Sequence, residues 1–444
     1  MKQHPKDPDL DYPSHLQHGA KQDISPLCIL PRSQHNLSRK LIDKEALKVL
    51  YRLKDRGFKA YLVGGCVRDI LLERTPKDFD VCTDARPPQV RKIFRNCRLI
   101  GRRFRLAHII FRRNKIIEVS TFRRQPDALP DIEDRRELTI ESNRYYGTPV
   151  EDANRRDFTI NALFYDINSF KIIDYVGGID DLRKGVVRVI GDPCTRFYED
   201  PVRMMRGIEF AARLDFRLDP NTFQAIKTCK EEIQHGSPER IKEEIIAILM
   251  SGYAHQCFSL FLSTGLFHAL FNDFQPWEER QALCLLDLLR QLDALIAAKK
   301  IAPDYLCLSA FLWPFISKQM EREKISHLND LDTLFRELIN PFCYHFNIRI
   351  HCRHLIKEIY RTIWRMKRGT GYKGEFRMIR KDFFRYALIL FRWLGETGQI
   401  DAGLIKIWDA RIEELHRPIY KKRRRPRKRR KRPWHKKFPP QNNP

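Results

Sequence analysis

Val63-Gly64-Gly65-Cys66-Val67-Arg68-Asp69, followed by Lys77-Asp78-Phe79-Asp80-Val81, is the stretch whose reading decides the fold. The apolar run Ala60-Tyr61-Leu62-Val63 ahead of it reads as a strand, and a second strand is expected over Asp78–Val81. On a strand, residues i and i+2 point to the same face, so Asp78 and Asp80 are aimed at one spot. Like charges held that close repel, and burying them unpaired is expensive. A divalent cation between them is the economical explanation. Mg²⁺ prefers one or two carboxylates together with phosphate oxygens and water. The paired glycines let backbone N–H groups approach a phosphate at a helix start. Together these features point to metal-assisted phosphoryl or nucleotidyl transfer. A lone pair of acids at this spacing would read as a solvated turn. Gly64, Gly65, Arg68 and the motifs downstream tip the balance.

Outward from this stretch, a helix is expected from Asp43 to Arg56, a short helix through Leu72 and another from Pro87 to Arg95. Arg105–Phe111 and Ile116–Phe122 read as antiparallel strands joined by a basic turn. The fold class is α+β, a small mixed-sheet unit followed by helices. Residues 124–150 read as a long loop. From Pro201 onward the periodicity is helical, with helices expected at Val202–Leu214, Asn221–Ile233, Ile241–Met250, Gln281–Leu295, Tyr305–Arg322, Leu355–Arg368 and Phe383–Leu394. The domains expected are a disordered polar leader at 1–37, a sheet domain at 38–175, a helical neck at 176–250, a helical body at 251–416 and a disordered arginine-rich tail at 417–444.

The formal charge of +27 over 444 residues points to a polyanionic partner. Between Arg417 and Lys437 there are 14 Lys or Arg and no acid. Within that run Arg423, Arg424, Arg425, Arg427, Lys428, Arg429 and Arg430 are expected to neutralise RNA phosphates, with counterion release making affinity salt-dependent. The 11 cysteines include no C-x-x-C pair, which fits a reducing cytoplasm. Cys343, His345, His351, Cys352 and His354 are zinc-type ligands at a spacing that fits no standard finger. The polar N-terminus has no signal-peptide core, and no apolar run is long enough to span a bilayer.

Two further constellations carry chemistry. In Arg155-Arg156-Asp157-Phe158-Thr159-Ile160-Asn161-Ala162, two arginines beside an acid can neutralise a triphosphate while the acid joins a metal site. Standing alone, the same residues would be an exposed salt-bridge cluster. In Tyr198-Glu199-Asp200-Pro201-Val202-Arg203-Met204-Met205-Arg206, Pro201 suits the first helical position and Asp200 the N-cap. Asp200 and Arg203 project on one side of the helix start, and Arg206 continues that face. A carboxylate accepts a hydrogen bond and a guanidinium donates one. Such a pair matches the pairing edges of adenine and cytosine and rejects those of guanine and uracil. It does not separate adenine from cytosine.

These motifs, in this order, closely resemble the class II nucleotidyltransferases, the CCA-adding enzymes and bacterial poly(A) polymerases. The resemblance covers roughly residues 45 to 250, and Glu239-Arg240-Ile241-Lys242-Glu243-Glu244 looks like its last shared motif. The segment from Asn96 to His108 and the arginine-rich tail look like the poly(A) polymerase branch. The resemblance implies that Asp78 and Asp80 hold two Mg²⁺ ions, with Asp157 as the third active-site acid. It implies that Gly64, Gly65 and Arg68 meet the triphosphate of ATP, that Arg156 serves ribose and phosphate, and that Asp200 and Arg203 read the base with Arg206 nearby. The activity implied is template-independent addition of AMP to RNA 3′ ends. A CCA-adding tRNA nucleotidyltransferase is the near alternative, and a non-catalytic RNA-binding protein the distant one. No protein partner can be read from the sequence.

Overall fold

The structure, a computed structural model, describes residues 25–101, 106–124, 146–272, 279–323 and 325–416. Eight strands form one mixed sheet: β1 (Cys28–Leu30), β2 (Ala60–Val63), β3 (Asp80–Thr83), β4 (Cys97–Ile100), β5 (Leu106–Ile110), β6 (Ile116–Thr121), β7 (Leu163–Asp166) and β8 (Lys171–Asp174). Their order is β1-β8-β7-β2-β3-β6-β5-β4. Only β3 and β6 pair in parallel; every other neighbour is antiparallel.

Register decides what this sheet presents. His108, Glu118, Asp80, Val63, Phe164 and Ile173 lie side by side across six adjacent strands. Registered partners share a face, so one row carries polar groups at one end and apolar groups at the other. The apolar end is roofed: Val63, Cys82, Phe122, Ala153, Ala162, Phe164 and Ile190 pack as one buried cluster. Tyr61 meets Phe164 edge-on at 6.0 Å, a favoured aromatic geometry.

The helices flanking the sheet in the chain are α1 (Lys44–Asp55), α2 (Gly65–Leu71), α3 (Pro87–Ile93), α4 (Pro149–Asn154) and α5 (Gly178–Lys184). The spacing of Ala46, Val49, Leu50 and Leu53 gives α1 a single apolar stripe, all of it buried. Its N-cap Asp43 accepts from the N–H groups of Glu45 and Ala46. Helices then take over with α6 (Pro193–Glu199), α7 (Val202–Leu214), α8 (Pro220–Cys229) and α9 (Pro238–Leu249). Further on, Phe258, Phe271, Phe311 and Phe342 interlock with ring centroids 5.2–6.1 Å apart. The chain divides into two compact units, Met1–Glu358 and Ile359–Pro444. In the second, the helices Phe384–Glu396 and Ala402–His416 follow one another, and buried Trp408 donates through Nε1 to Met366 O at 2.9 Å.

The expected mixed sheet followed by helices is the observed fold. Several local expectations differ. The second strand begins at Asp80 rather than Asp78. Residues 28–30 are not leader but an edge strand on β8. The loop expected over 124–150 ends at Thr148, whose hydroxyl and Glu151 form a capping box that starts α4 at Pro149. Strands β4, β7 and β8 are too short to show a period of their own. The helical stretch expected as one body contains the division at 358/359. The tail residues Arg423, Arg424, Arg425, Arg427, Lys428, Arg429 and Arg430 lie outside the described residues, as does the segment 102–105 within the run from Asn96 to His108.

Candidate active site

Asp80 opens β3 on the polar end of the row, and exposed Asp78 precedes it by two residues. Glu118 is its parallel-strand partner on β6. Burial, then the negative charge of Glu118 and that of Asp78, push the Asp80 carboxyl up to about 6, with Arg156 pulling the other way. A cluster of oxygen acids that resists full ionisation is the donor set a hard divalent cation neutralises. Among the described residues no group of three or more His, Cys, Asp or Glu forms a ready cage for a metal ion. Mg²⁺ does not need one, because it commonly uses one or two carboxylates and takes the rest of its shell from water and phosphate.

Beside these acids the chain turns sharply. Gly64 sits at φ 75°, ψ −136°, a conformation an L side chain resists. A Cβ there would also stand 3.3 Å from Nη1 of Arg156. The first backbone bond of α2 runs from Val67 N–H to Gly64 O, so the N–H groups of Gly65 and Cys66 precede the helix's own ladder. Arg68 does not reach outward. It is buried, donates to Asp69 Oδ1 and Asn161 Oδ1, and lies 5.1 Å from the Phe210 ring. Arg156 donates through Nε and Nη2 to Asp152 Oδ2 and through Nη1 to Asn161 O. Its guanidinium stands 5.3 Å from the Phe164 ring, on the apolar part of the sheet row.

Asp157 has different company from Asp80. It accepts from Phe158 N–H and Asn161 Nδ2, and pairs with Arg206 Nη2 at 2.7 Å. Burial alone would raise its carboxyl, but Arg206 and the hydrogen bonds hold it below the usual range. The acid lying across from Asp80 is Glu118, which sequence reasoning missed. The available signal was its place as an acid in the alternating strand Ile116-Ile117-Glu118-Val119. His108 Nε2 stands 3.4 Å from Glu118 Oε1.

Around the start of α7, Asp200 does not cap the helix as expected; Pro201 is the cap residue and has no side-chain hydrogen bond to offer. The Asp200 carboxylate is instead taken by Arg240 of α9, whose Nη1 and Nη2 donate to Oδ1 and Oδ2 at 2.8 and 2.9 Å. Arg203 donates through Nη1 to Arg196 O and Glu199 Oε2. Arg196, also missed from sequence, is buried and donates through Nη1 to Glu199 Oε2 and through Nη2 to the carbonyls of Arg155 and Arg156. Burial lowers its pKa to about 10, with Arg203 adding to the effect. One guanidinium thus ties the Arg155–Arg156 backbone to Glu199, the carboxylate that also accepts from Arg203.

The five residues Cys343, His345, His351, Cys352 and His354 are not brought together as a metal-holding group. Both cysteines are buried, which pushes each thiol up to about 12. No helix among the described residues is long and apolar enough to cross a membrane.

The chain is similar to known proteins over most of its length. Residues 60–188 match the family described as Poly A polymerase head domain. Residues 215–278 match that described as probable RNA and SrmB-binding site of polymerase A. The chain is 38% identical to Poly(A) polymerase I of Escherichia coli O6:H1 over 401 residues, 86% of this chain and 84% of that protein. It is 38% identical to the CCA-adding enzyme of Lactobacillus helveticus over only 222 residues, 50% of this chain and 54% of that enzyme. Among solved structures, the Bacillus stearothermophilus CCA-adding enzyme in complex with CTP superposes with a TM-score of 0.62 at 25% identity, covering 85% of this chain and 84% of that one. The chain belongs to the poly(A) polymerase I family of nucleotidyltransferases.

Proposed function

We propose that this nucleotidyltransferase adds AMP from ATP to RNA 3′ ends without a template. The observation that supports it most directly is the register that sets Asp80 beside Glu118 on β6 and beside Val63 on β2, immediately before the Gly64 turn that Arg156 borders. In this reading Asp78 and Asp80 hold two Mg²⁺ ions, and Glu118 adds charge on their flank. Bound there, Mg²⁺ supplies charge neutralisation to the attacking and leaving oxygens of an in-line displacement. Gly64 and Gly65 bring backbone N–H groups close to the triphosphate of ATP. Arg156, held by Asp152, presents positive charge to ribose and phosphate. Arg68 shapes the turn from behind. Asp200 and Arg203 offer an acceptor beside a donor to the pairing edge of adenine, with Arg206 nearby, and Asp157, paired with Arg206, is the third active-site acid of this reading. The RNA 3′-hydroxyl attacks the α-phosphorus, and pyrophosphate leaves.

The basic run at 423–430 is assigned to RNA phosphates, in line with its sequence. None of the 11 cysteines is in a disulfide, which suits a cytoplasmic enzyme. The CCA-adding reading has its own support in the residues shared with that group. Incubation with Mg²⁺ and either generic RNA or tRNA lacking its 3′ end, with ATP or CTP, separates the two. A long A tail on generic RNA is the expected product. Addition of C, C and A that then stops would overturn the assignment.

A further inference from the structure

We infer that the open face of β4, β5 and β6 seats the RNA acceptor strand, with Arg98 holding a backbone phosphate among the last few nucleotides before the 3′ end. The inference rests on the nucleotidyl-transfer reading given above to Asp78, Asp80 and the Gly64 turn. In an in-line displacement the attacking and leaving oxygens lie on opposite sides of the phosphorus. The Gly64 turn and Arg156, assigned to the triphosphate, lie on the β2 side of Asp80. The attacking 3′-hydroxyl then arrives from the other side, over β6, β5 and β4.

On that side the row of registered residues runs Asp80, Glu118, His108, Arg98. The roof over the row stops at Asp80. Val63 and Phe164 are buried in the apolar cluster, whereas Ile116 and Ile100, two residues along from Glu118 and Arg98 on the same face, are 45% and 47% exposed. The opposite face of these strands is closed: Ile109, Ile117 and Val119 are buried, and α1 contacts β6 while α3 contacts β4 and β5. The open face therefore borders the metal-binding acids directly and offers apolar surface on which bases and riboses can lie. His108 stands between Glu118 and Arg98, with Nε2 3.4 Å from Glu118 Oε1. The imidazole thus engages the acid, and the backbone of exposed Arg98 runs two strand spacings, roughly 10 Å, from that of Glu118. From Asp80 the separation is three spacings, roughly 14 Å, a reach that a few nucleotides cover. A guanidinium at that distance meets a phosphate in its preferred forked geometry, and the formal charge of +27 favours a polyanion on this chain.

The test uses the full chain with Mg²⁺, ATP and an oligo(A) primer. Arg98→Ala is expected to raise KM for the primer about tenfold while KM for ATP moves less than about twofold. The salt dependence of primer binding should flatten by about one phosphate contact. Primers whose phosphates near the 3′ end are replaced, one at a time, by uncharged methylphosphonates locate that contact. At one linkage the replacement should raise KM for wild type and leave Arg98→Ala unaffected. Ile100→Glu sets a negative charge on the open face and is also expected to raise KM for the primer. Thermal melting checks that both variants are folded. A primer KM equal to wild type in Arg98→Ala or in Ile100→Glu overturns the inference. So does a rise confined to KM for ATP, or one that no replacement near the 3′ end reproduces. If wild type itself fails to extend the primer, the transfer reading falls and this inference with it. If wild type extends it and Arg98→Ala behaves identically, only the placing of the acceptor strand falls.

Discussion

Glu118 and Asp80 are direct neighbours on the only parallel strand pair of the eight-stranded sheet. Their carboxylates share one face, and the charge of Glu118 follows burial as the main reason the Asp80 carboxyl is raised to about 6. An acid held above its unfolded value near 3.9 binds more protons in the native state than in the unfolded chain. Stability then falls as pH rises through the window from about 4 to 6. Asp80→Asn removes that penalty. The variant is expected to be about 1–3 kcal/mol more stable than wild type at pH 7, to lose that advantage at pH 4, and to incorporate no AMP. Thermal unfolding at the two pH values checks the first part. An equal or lower melting temperature at pH 7 would show that Asp80 is not held against its will.

Glu118→Gln is expected to slow AMP incorporation by about 10²-fold or more while leaving the melting temperature within a degree or two of wild type. Mg²⁺ titration of thermal stability gives a readout besides activity. Wild type should be stabilised at lower Mg²⁺ than the variant. Matching titrations would remove Glu118 from the site.

Asp157 should behave in the opposite manner. Its carboxylate is paired with Arg206 and accepts from Asn161 and Phe158 N–H. Arg206→Met leaves a half-buried acid without its cation and is expected to cost about 1–3 kcal/mol, since the arginine is partly solvent-screened, measured by urea unfolding at pH 7. Because Asp157 is held below its unfolded pKa, its share of stability is present above about pH 4 and is lost as pH falls below that. The gap between Arg206→Met and wild type should therefore narrow in acid. A gap independent of pH would mean that the pair does not set the cost.

Gly64→Ala places a methyl group on a left-handed backbone and 3.3 Å from Arg156 Nη1. The turn must shift, so KM for ATP is expected to rise about tenfold or more, with primer binding little changed. A change confined to primer binding would detach this turn from the nucleotide.

Deletion of the residues after 416 is expected to weaken RNA binding and flatten its dependence on salt, since each phosphate contact contributes to the slope. Filter binding at 50 to 300 mM salt checks it. A slope equal to that of the full chain would place the phosphate contacts elsewhere.

The sequence was most legible where one residue type has few physical uses. Gly64 and Gly65 could only be a turn, and the motifs around 78–80, 155–162 and 199–206 all converge on one region of the structure. The apolar stripe of α1 and the whole of α7 could be read from periodicity, to the residue in the second case. What could not be read was pairing. Glu118 has no motif, and its importance comes from a strand register that no local pattern encodes. Asp200 looked like a helix cap because the Asp-Pro pair is a capping signal, yet Arg240, forty residues on, takes the carboxylate first. Arg196 and Arg68 are cations turned inward, and composition cannot tell an inward arginine from one that faces a phosphate.

The buried Arg196 guanidinium links the carbonyls of Arg155 and Arg156 to Glu199. Because Arg203 of α7 donates to Glu199 and to Arg196 O, the start of α7 and the Arg155–Arg156 backbone share one hydrogen-bonded network. If Arg203 reads the base as proposed, an ill-fitting base that displaces it is expected to disturb that backbone too, a cost read in reaction rate and not merely in residence time.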